Sequence, residues 1–153
     1  MIIVGYQGIG KSSVIKYTCN VIDLESSSFW IKGRRSEDWY KIYVNMAKHL
    51  SDQGNIVFLS SHKCVRDELN AKGLDFTVIC PGLTLKKEWI SKLRYRYLES
   101  FSEKDYKAWK NAEQFYDENI KDLFKEKNVY IIHDMEYSML NIISQYDNRG
   151  RGL

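Results

Sequence analysis

The chain has 153 residues and a mass of 18.1 kDa, enough for one domain with its own hydrophobic core. A net charge of +3 suits anionic small substrates without pointing to nucleic acid, and three scattered cysteines, Cys19, Cys64 and Cys80, argue against a zinc site or a disulfide framework. No apolar run approaches the roughly 18 residues of a membrane span, and the apolar start leads into a glycine-rich loop rather than a leader cleavage site, so a cytoplasmic protein with reduced thiols is expected.

Met1 to Val4 is a short apolar run that suits a buried parallel strand. Gly5-Tyr6-Gln7-Gly8-Ile9-Gly10-Lys11-Ser12 follows, and it matches the phosphate-loop pattern of glycine, four free positions, then Gly-Lys-Ser. Its glycines free the backbone to wrap a polyphosphate with the N–H groups turned inward. Lys11 supplies a cation for the β- and γ-phosphates, and the Ser12 hydroxyl can ligate Mg²⁺. Val14, Ile15 and Tyr17 open a helix behind the loop, whose N-terminus adds partial positive charge. A nucleoside triphosphate with Mg²⁺ is therefore the expected ligand, held by Gly5, Gly8, Ile9, Gly10, Lys11, Ser12 and Ser13.

A second strand, Asn20 to Asp23, ends in Asp23-Leu24-Glu25. Strand alternation turns both carboxylates to one side, at the edge of a parallel sheet where ligands bind. Asp23 is the candidate to hold a Mg²⁺-bound water, because the third strand, Asn55 to Ser60, carries no aspartate after its apolar run. Glu25 could orient an acceptor hydroxyl, and Ser60 and His62 could touch substrate. Between these strands, Lys32-Gly33-Arg34-Arg35 reads as a basic loop. Arg34 or Arg35 could clamp an acceptor phosphate there, with Phe29 or Trp30 free to stack a base.

Helical patterns fill the rest. One runs from about Glu37 to Leu50, capped by Ser36, with Trp39, Ile42, Tyr43, Met46, Ala47 and Leu50 as its apolar stripe. Another follows a cap at Ser61 and stops at Gly73. After a fourth strand, Asp75 to Cys80, Thr84 caps a basic helix carrying Lys86, Lys87, Lys92, Arg94 and Arg96. Such a helix suits a closing lid near 84–100, with Arg94 and Arg96 as the candidates to neutralise a transferring phosphoryl group. Ser102 and Asp105 make a capping box for a fifth helix. A last strand, Asn128 to His133, and a last helix around Met139 to Ile143 complete a single domain over 1–147, with 148–153 expected to fray. Strands alternating with helices imply right-handed crossovers and an α/β fold with a parallel sheet covered on both faces.

This layout resembles the P-loop kinases of small metabolites and nucleoside monophosphates. Asp23-Leu24-Glu25 is similar to the Asp-x-Asp of shikimate kinases. The run from Ser60 through Lys63, Arg66 and Asp67 to Leu69 resembles that of gluconate kinases, with a shorter lysine-to-arginine spacing. The basic helix resembles the lid of nucleoside monophosphate kinases, and the compact size resembles kinase-like proteins of bacteriophages. Two departures stand out: the Asp-Gly-aromatic-Pro-Arg run of adenylate kinases and the shikimate-binding glycines are both missing. The resemblance implies a three-layer fold with a five-stranded parallel sheet of order 2-3-1-4-5. It also implies ATP with Mg²⁺ but does not name the acceptor. The expected activity is ATP-dependent transfer to a small acceptor, a nucleoside monophosphate or deoxynucleotide first, by a monomer or homodimer. A kinase of an unphosphorylated metabolite and a nucleotide-binding regulator with little turnover are the alternatives.

Overall fold

Four consecutive buried residues, Ile2–Gly5, form strand β1, and such a run is apolar because both of its faces are covered. A computed structural model of the chain describes residues 1–16, 18–32 and 34–150, the last four of these by backbone alone. Tyr17, Gly33 and the tail residues 151–153 lie outside the described residues. Around β1 the sheet adds β2 (Val21–Asp23), β5 (Ile56–Ser60), β6 (Thr77–Pro81) and β7 (Val129–Ile132), all parallel, in the order β2-β5-β1-β6-β7. The two strands left out of that numbering, β3 (Trp30–Ile31) and β4 (Arg34–Arg35), pair with each other as a small antiparallel hairpin. Counted by the five main strands alone, the order is 2-3-1-4-5, as the resemblance implied.

The helices are α1 (Lys11–Ile15), α2 (Trp39–Asp52), α3 (Lys63–Ala71), α4 (Lys86–Ser100), α5 (Glu103–Leu123) and α6 (Met139–Gly150). Right-handed crossovers put α1 on one face and α2, α3 and the α4–α5 pair on the other, and α6 packs beside α1. The described backbone of 148–150 is helical, as the end of α6.

Local details depart from expectation where tertiary packing decides. On α2 the buried stripe is Trp39, Tyr43, Val44 and Ala47, whereas Ile42 and Met46 are 57% and 42% exposed. Ser36 does not cap α2. Its carbonyl accepts from the Trp39 N–H (3.2 Å), and Asp38 holds the capping position without a side-chain bond. Likewise Ser61 leaves α3 to start behind His62, and Thr84 sits inside a 3₁₀ turn before α4. Ser102 does cap α5, its hydroxyl accepting from the Asp105 N–H at 3.1 Å. The reciprocal half of the box is missing, because the Asp105 carboxylate is taken by the Ser100 hydroxyl (2.5 Å).

Two fixtures hold the carboxyl ends of the strands in register. The buried Tyr43 hydroxyl of α2 donates to the Leu24 carbonyl (2.6 Å) and accepts from the Ser60 N–H (2.9 Å), tying the ends of β2 and β5 together. Burial pushes that phenol up to about 12, so it stays a donor throughout the physiological range. On the other side Tyr116 of α5 donates to the Gly82 carbonyl (2.8 Å) and meets the Tyr6 ring edge-on. The loops that follow β1, β2 and β5 thus open onto one crevice with fixed walls.

Candidate functional site

The loop after β1 begins where the Tyr6 N–H is anchored on the Ile79 carbonyl of β6 (3.0 Å). Gly8 and Gly10 take φ values of 87° and 96°, the left-handed region that side chains disfavour. At Gly8 a Cβ would also lie 2.9 Å from Leu93 Cδ2, so helix α4 packs directly on the loop. Gln7 and Gly8 form a hydrogen-bonded turn that aims the Ile9 amide back at the Tyr6 carbonyl. Among the described residues no group accepts from the amides of Gln7, Gly8 and Gly10, although Gly8 is buried. Buried amides are almost always paired, so a run of free ones calls for an acceptor. Because α1 has only five residues, these amides rather than a helix dipole are what the loop offers an anion.

A crevice of about 1130 Å³ opens in front of them. Lys11 sits at its base, with its ammonium 3.8 Å from Asp23 Oδ1. Burial lowers the Lys11 pKa, and only part of that is offset by the charges of Asp23 and Glu25. The same burial raises Asp23, against the pull of Lys11. Asp23 Oδ1 and the Ser60 hydroxyl are buried with no hydrogen-bond partner. Orphaned oxygens beside an underpaired cation describe a site shaped for groups that arrive with the ligand.

Mg²⁺ fits these residues. It keeps several waters and takes few protein ligands when phosphates complete its shell. The Ser12 side of the loop and the free Asp23 oxygen both line the crevice, and no cluster of three or more His, Cys, Asp or Glu is found among the described residues.

Most residues singled out in the sequence converge here: Gly5, Gly8, Ile9, Gly10, Lys11, Ser12, Asp23, Glu25, Arg34, Arg35, Ser60, His62 and Arg96 all line the crevice. Glu25 is held by Lys104 of α5 at 2.6 Å. Burial alone would raise its pKa, but the Lys104 bond and charge bring it below the usual carboxylate range. His62 is exposed and makes a T-shaped contact with the Trp39 ring, centroids 5.5 Å apart. Desolvation, then the charges of Arg35, Lys11 and Arg66, hold it near 4, so it is a neutral ring at pH 7 rather than a cation.

Other expectations need correction. Arg94 does not line the crevice. Its guanidinium lies over the Trp109 ring at 5.9 Å, while Arg96, two positions on, reaches the cavity and Asp105 (3.5 Å). Ser13 turns its hydroxyl back onto the Gly10 carbonyl (2.6 Å) and does not line the crevice. The N-terminal half of α4 is no free lid, because Trp89 and Leu93 are buried. Arg34 and Arg35 form a strand rather than a loop, and they differ in role. Arg35 is committed to the Ser26 carbonyl (2.9 Å) and hydroxyl (3.1 Å) and lies 4.5 Å above Trp39, whereas Arg34 is exposed. Phe29 packs on Trp39 and Tyr43, which leaves Trp30 as the aromatic wall of the crevice.

Sequence reasoning missed the contribution of α5. Lys104, Lys107, Ala108 and Asn111 form one crevice wall, and Gln7 donates to the Ala108 carbonyl at 3.0 Å. Their spacing of three, four and seven is one helical face, so the signal was present without a reason to aim it. No protein-family model matches the chain, and no curated protein matches it.

Proposed function

We propose that the chain is an ATP-dependent phosphotransferase with a P-loop kinase fold, acting on a small acceptor, with a nucleoside monophosphate or deoxynucleotide as the first candidate. One observation carries this: the unpaired loop amides of Gln7, Gly8 and Gly10 beside the half-buried Lys11, at the carboxyl end of the central strand. A polyphosphate satisfies both the amides and the ammonium at once. Mg²⁺, held by Ser12 and Asp23, would offset charge on the β- and γ-phosphate oxygens. Arg96 and Lys104 then face the transferring group from the α4–α5 side, and Arg34 with Trp30 offers an acceptor phosphate and base a charged and an aromatic surface.

The raised pKa of Asp23 favours one second reading. A carboxylate with weakened acidity is a better base, which suits a kinase of an unphosphorylated hydroxyl acceptor. A coupled assay of ADP release, run over nucleoside monophosphates and sugar acids, separates the two. Stimulation by a nucleoside monophosphate supports the first reading. ATP binding with no acceptor-stimulated release would instead favour a nucleotide-gated regulator. In the same assay Asp23→Asn is expected to slow turnover and move the Mg²⁺ dependence to higher concentration, and superimposable Mg²⁺ curves would reject its metal role.

A further inference from the structure

The phosphate loop is held from outside by two aromatic side chains. Trp89 of α4 donates its indole N–H to the Gln7 carbonyl at 2.8 Å. Tyr137, just ahead of α6, donates its hydroxyl to the Ile9 carbonyl at 2.7 Å, with the Gly8 carbonyl at 3.5 Å. The two rings stack, with centroids 5.9 Å apart and an interplanar angle of 20°. Lys92 completes the group, its ammonium 2.8 Å from the Tyr137 oxygen and within 4.4 Å and 5.1 Å of the two ring centres. An ammonium has only donors, so the Tyr137 oxygen must accept from it and its own proton is directed to Ile9.

These bonds take loop carbonyls at positions 7 and 9, interleaved with the amides that no group satisfies. A peptide plane fixes its C=O and the next N–H on opposite sides. Holding the carbonyls of Gln7 and Ile9 outward therefore turns the N–H groups of Gly8 and Gly10 the other way.

We infer that Trp89 and Tyr137 are positioning residues that keep the loop amides aimed at the anion site before any ligand arrives, and that Lys92 orients the Tyr137 hydroxyl for this task. The inference rests on the phosphate-loop reading. It also gives α4 a mechanical part: the helix that brings Arg96 to the crevice is fastened to the loop through Trp89. Preorganisation of this kind raises affinity by removing an ordering cost from binding.

Tyr137→Phe keeps the ring and its stack on Trp89 and removes only the hydroxyl. Titration calorimetry with Mg²⁺ and inorganic tripolyphosphate should show binding weakened about tenfold, the size of one lost hydrogen bond. In the ligand-free protein the Gly8 and Gly10 amide resonances should shift and broaden. Lys92→Met should weaken binding in the same direction by a smaller factor. A purely structural role would lower the melting temperature and leave both the affinity and the amide resonances unchanged, which overturns the inference. Lys11→Ala separates the two levels. If it loses binding while Tyr137→Phe retains it within twofold, the aromatic brace is wrong and the phosphate loop stands. If wild type binds no tripolyphosphate, both fall.

Discussion

Arg96→Ala is expected to lower kcat at least ~100-fold, the scale for loss of one preorganised charge at the transferring group, while Arg94→Ala stays near wild type. The two arginines are two residues apart on one helix, so they cannot share a face. Only Arg96 reaches the crevice; Arg94 lies over Trp109. The Arg96 contact to Asp105 is a half-exposed pair at 3.5 Å, weak enough for the side chain to leave it for a phosphoryl oxygen. Because its charge is needed most as transfer proceeds, the ATP dissociation constant should move by less than about tenfold, or ~1.4 kcal/mol. Alanine is a good helix former and Trp89 and Leu93 anchor α4, so circular dichroism should be unchanged. Wild-type turnover in Arg96→Ala would make this helix ordinary surface charge.

The largest loss of stability is expected at Arg66, a charged side chain only 5% exposed. It donates to the Ser61 carbonyl (3.1 Å), Asp122 (2.6 Å) and Glu126 (2.8 Å), joining the start of α3 to the end of α5. Arg66→Met keeps much of the volume but strands two carboxylates. The expected cost is about 3 kcal/mol, the low end for breaking a buried pair, because Asp122 keeps a third of its surface in water. Urea unfolding measures it, and the further changes Asp122→Asn and Glu126→Gln should recover part of the loss. The pH dependence has a definite sign. The Arg66 bond holds the Asp122 carboxyl below its ordinary value of 3.8. Its contribution is therefore present above that value and disappears as pH falls through the lower folded pKa. Arg66→Met should lose that part of the acid sensitivity.

The sheet was legible because each main strand is a short apolar run between polar or glycine punctuation, and the loop was legible because its glycines and lysine are spaced by chemistry. The β3–β4 hairpin was not. Two residues per strand carry no periodicity, and Lys32, at φ 52°, occupies a turn position that only the flanking Trp-Ile and Arg-Arg pairs hint at. Helix caps failed for a related reason. At Ser36, Ser61 and Thr84 the chain enters its helix through a turn fixed by tertiary contacts, and these serines and threonine were judged on local pattern alone. On α2, packing against α3 and β5 selects Val44 over Ile42 and Met46, which are equally apolar. The choice between Arg94 and Arg96 needed the rotation of α4 about its own axis, and the Lys104 wall needed the α4–α5 turn at Phe101.

Calorimetric titration of wild type and Lys11→Ala with ATP and Mg²⁺ tests the central claim most directly. Lys11 is a half-buried cation at the foot of the crevice, with one carboxylate at 3.8 Å as its ion-pair partner. Phosphate oxygens would supply the charge-assisted bonds it lacks. Wild type should bind, and Lys11→Ala should bind at least ~1.5 kcal/mol more weakly, the size of a hydrogen bond to a charged group, with an unchanged thermal midpoint. Equal ATP affinity in the two proteins, or none in either, would contradict a phosphate-binding loop at Gly5 to Ser12.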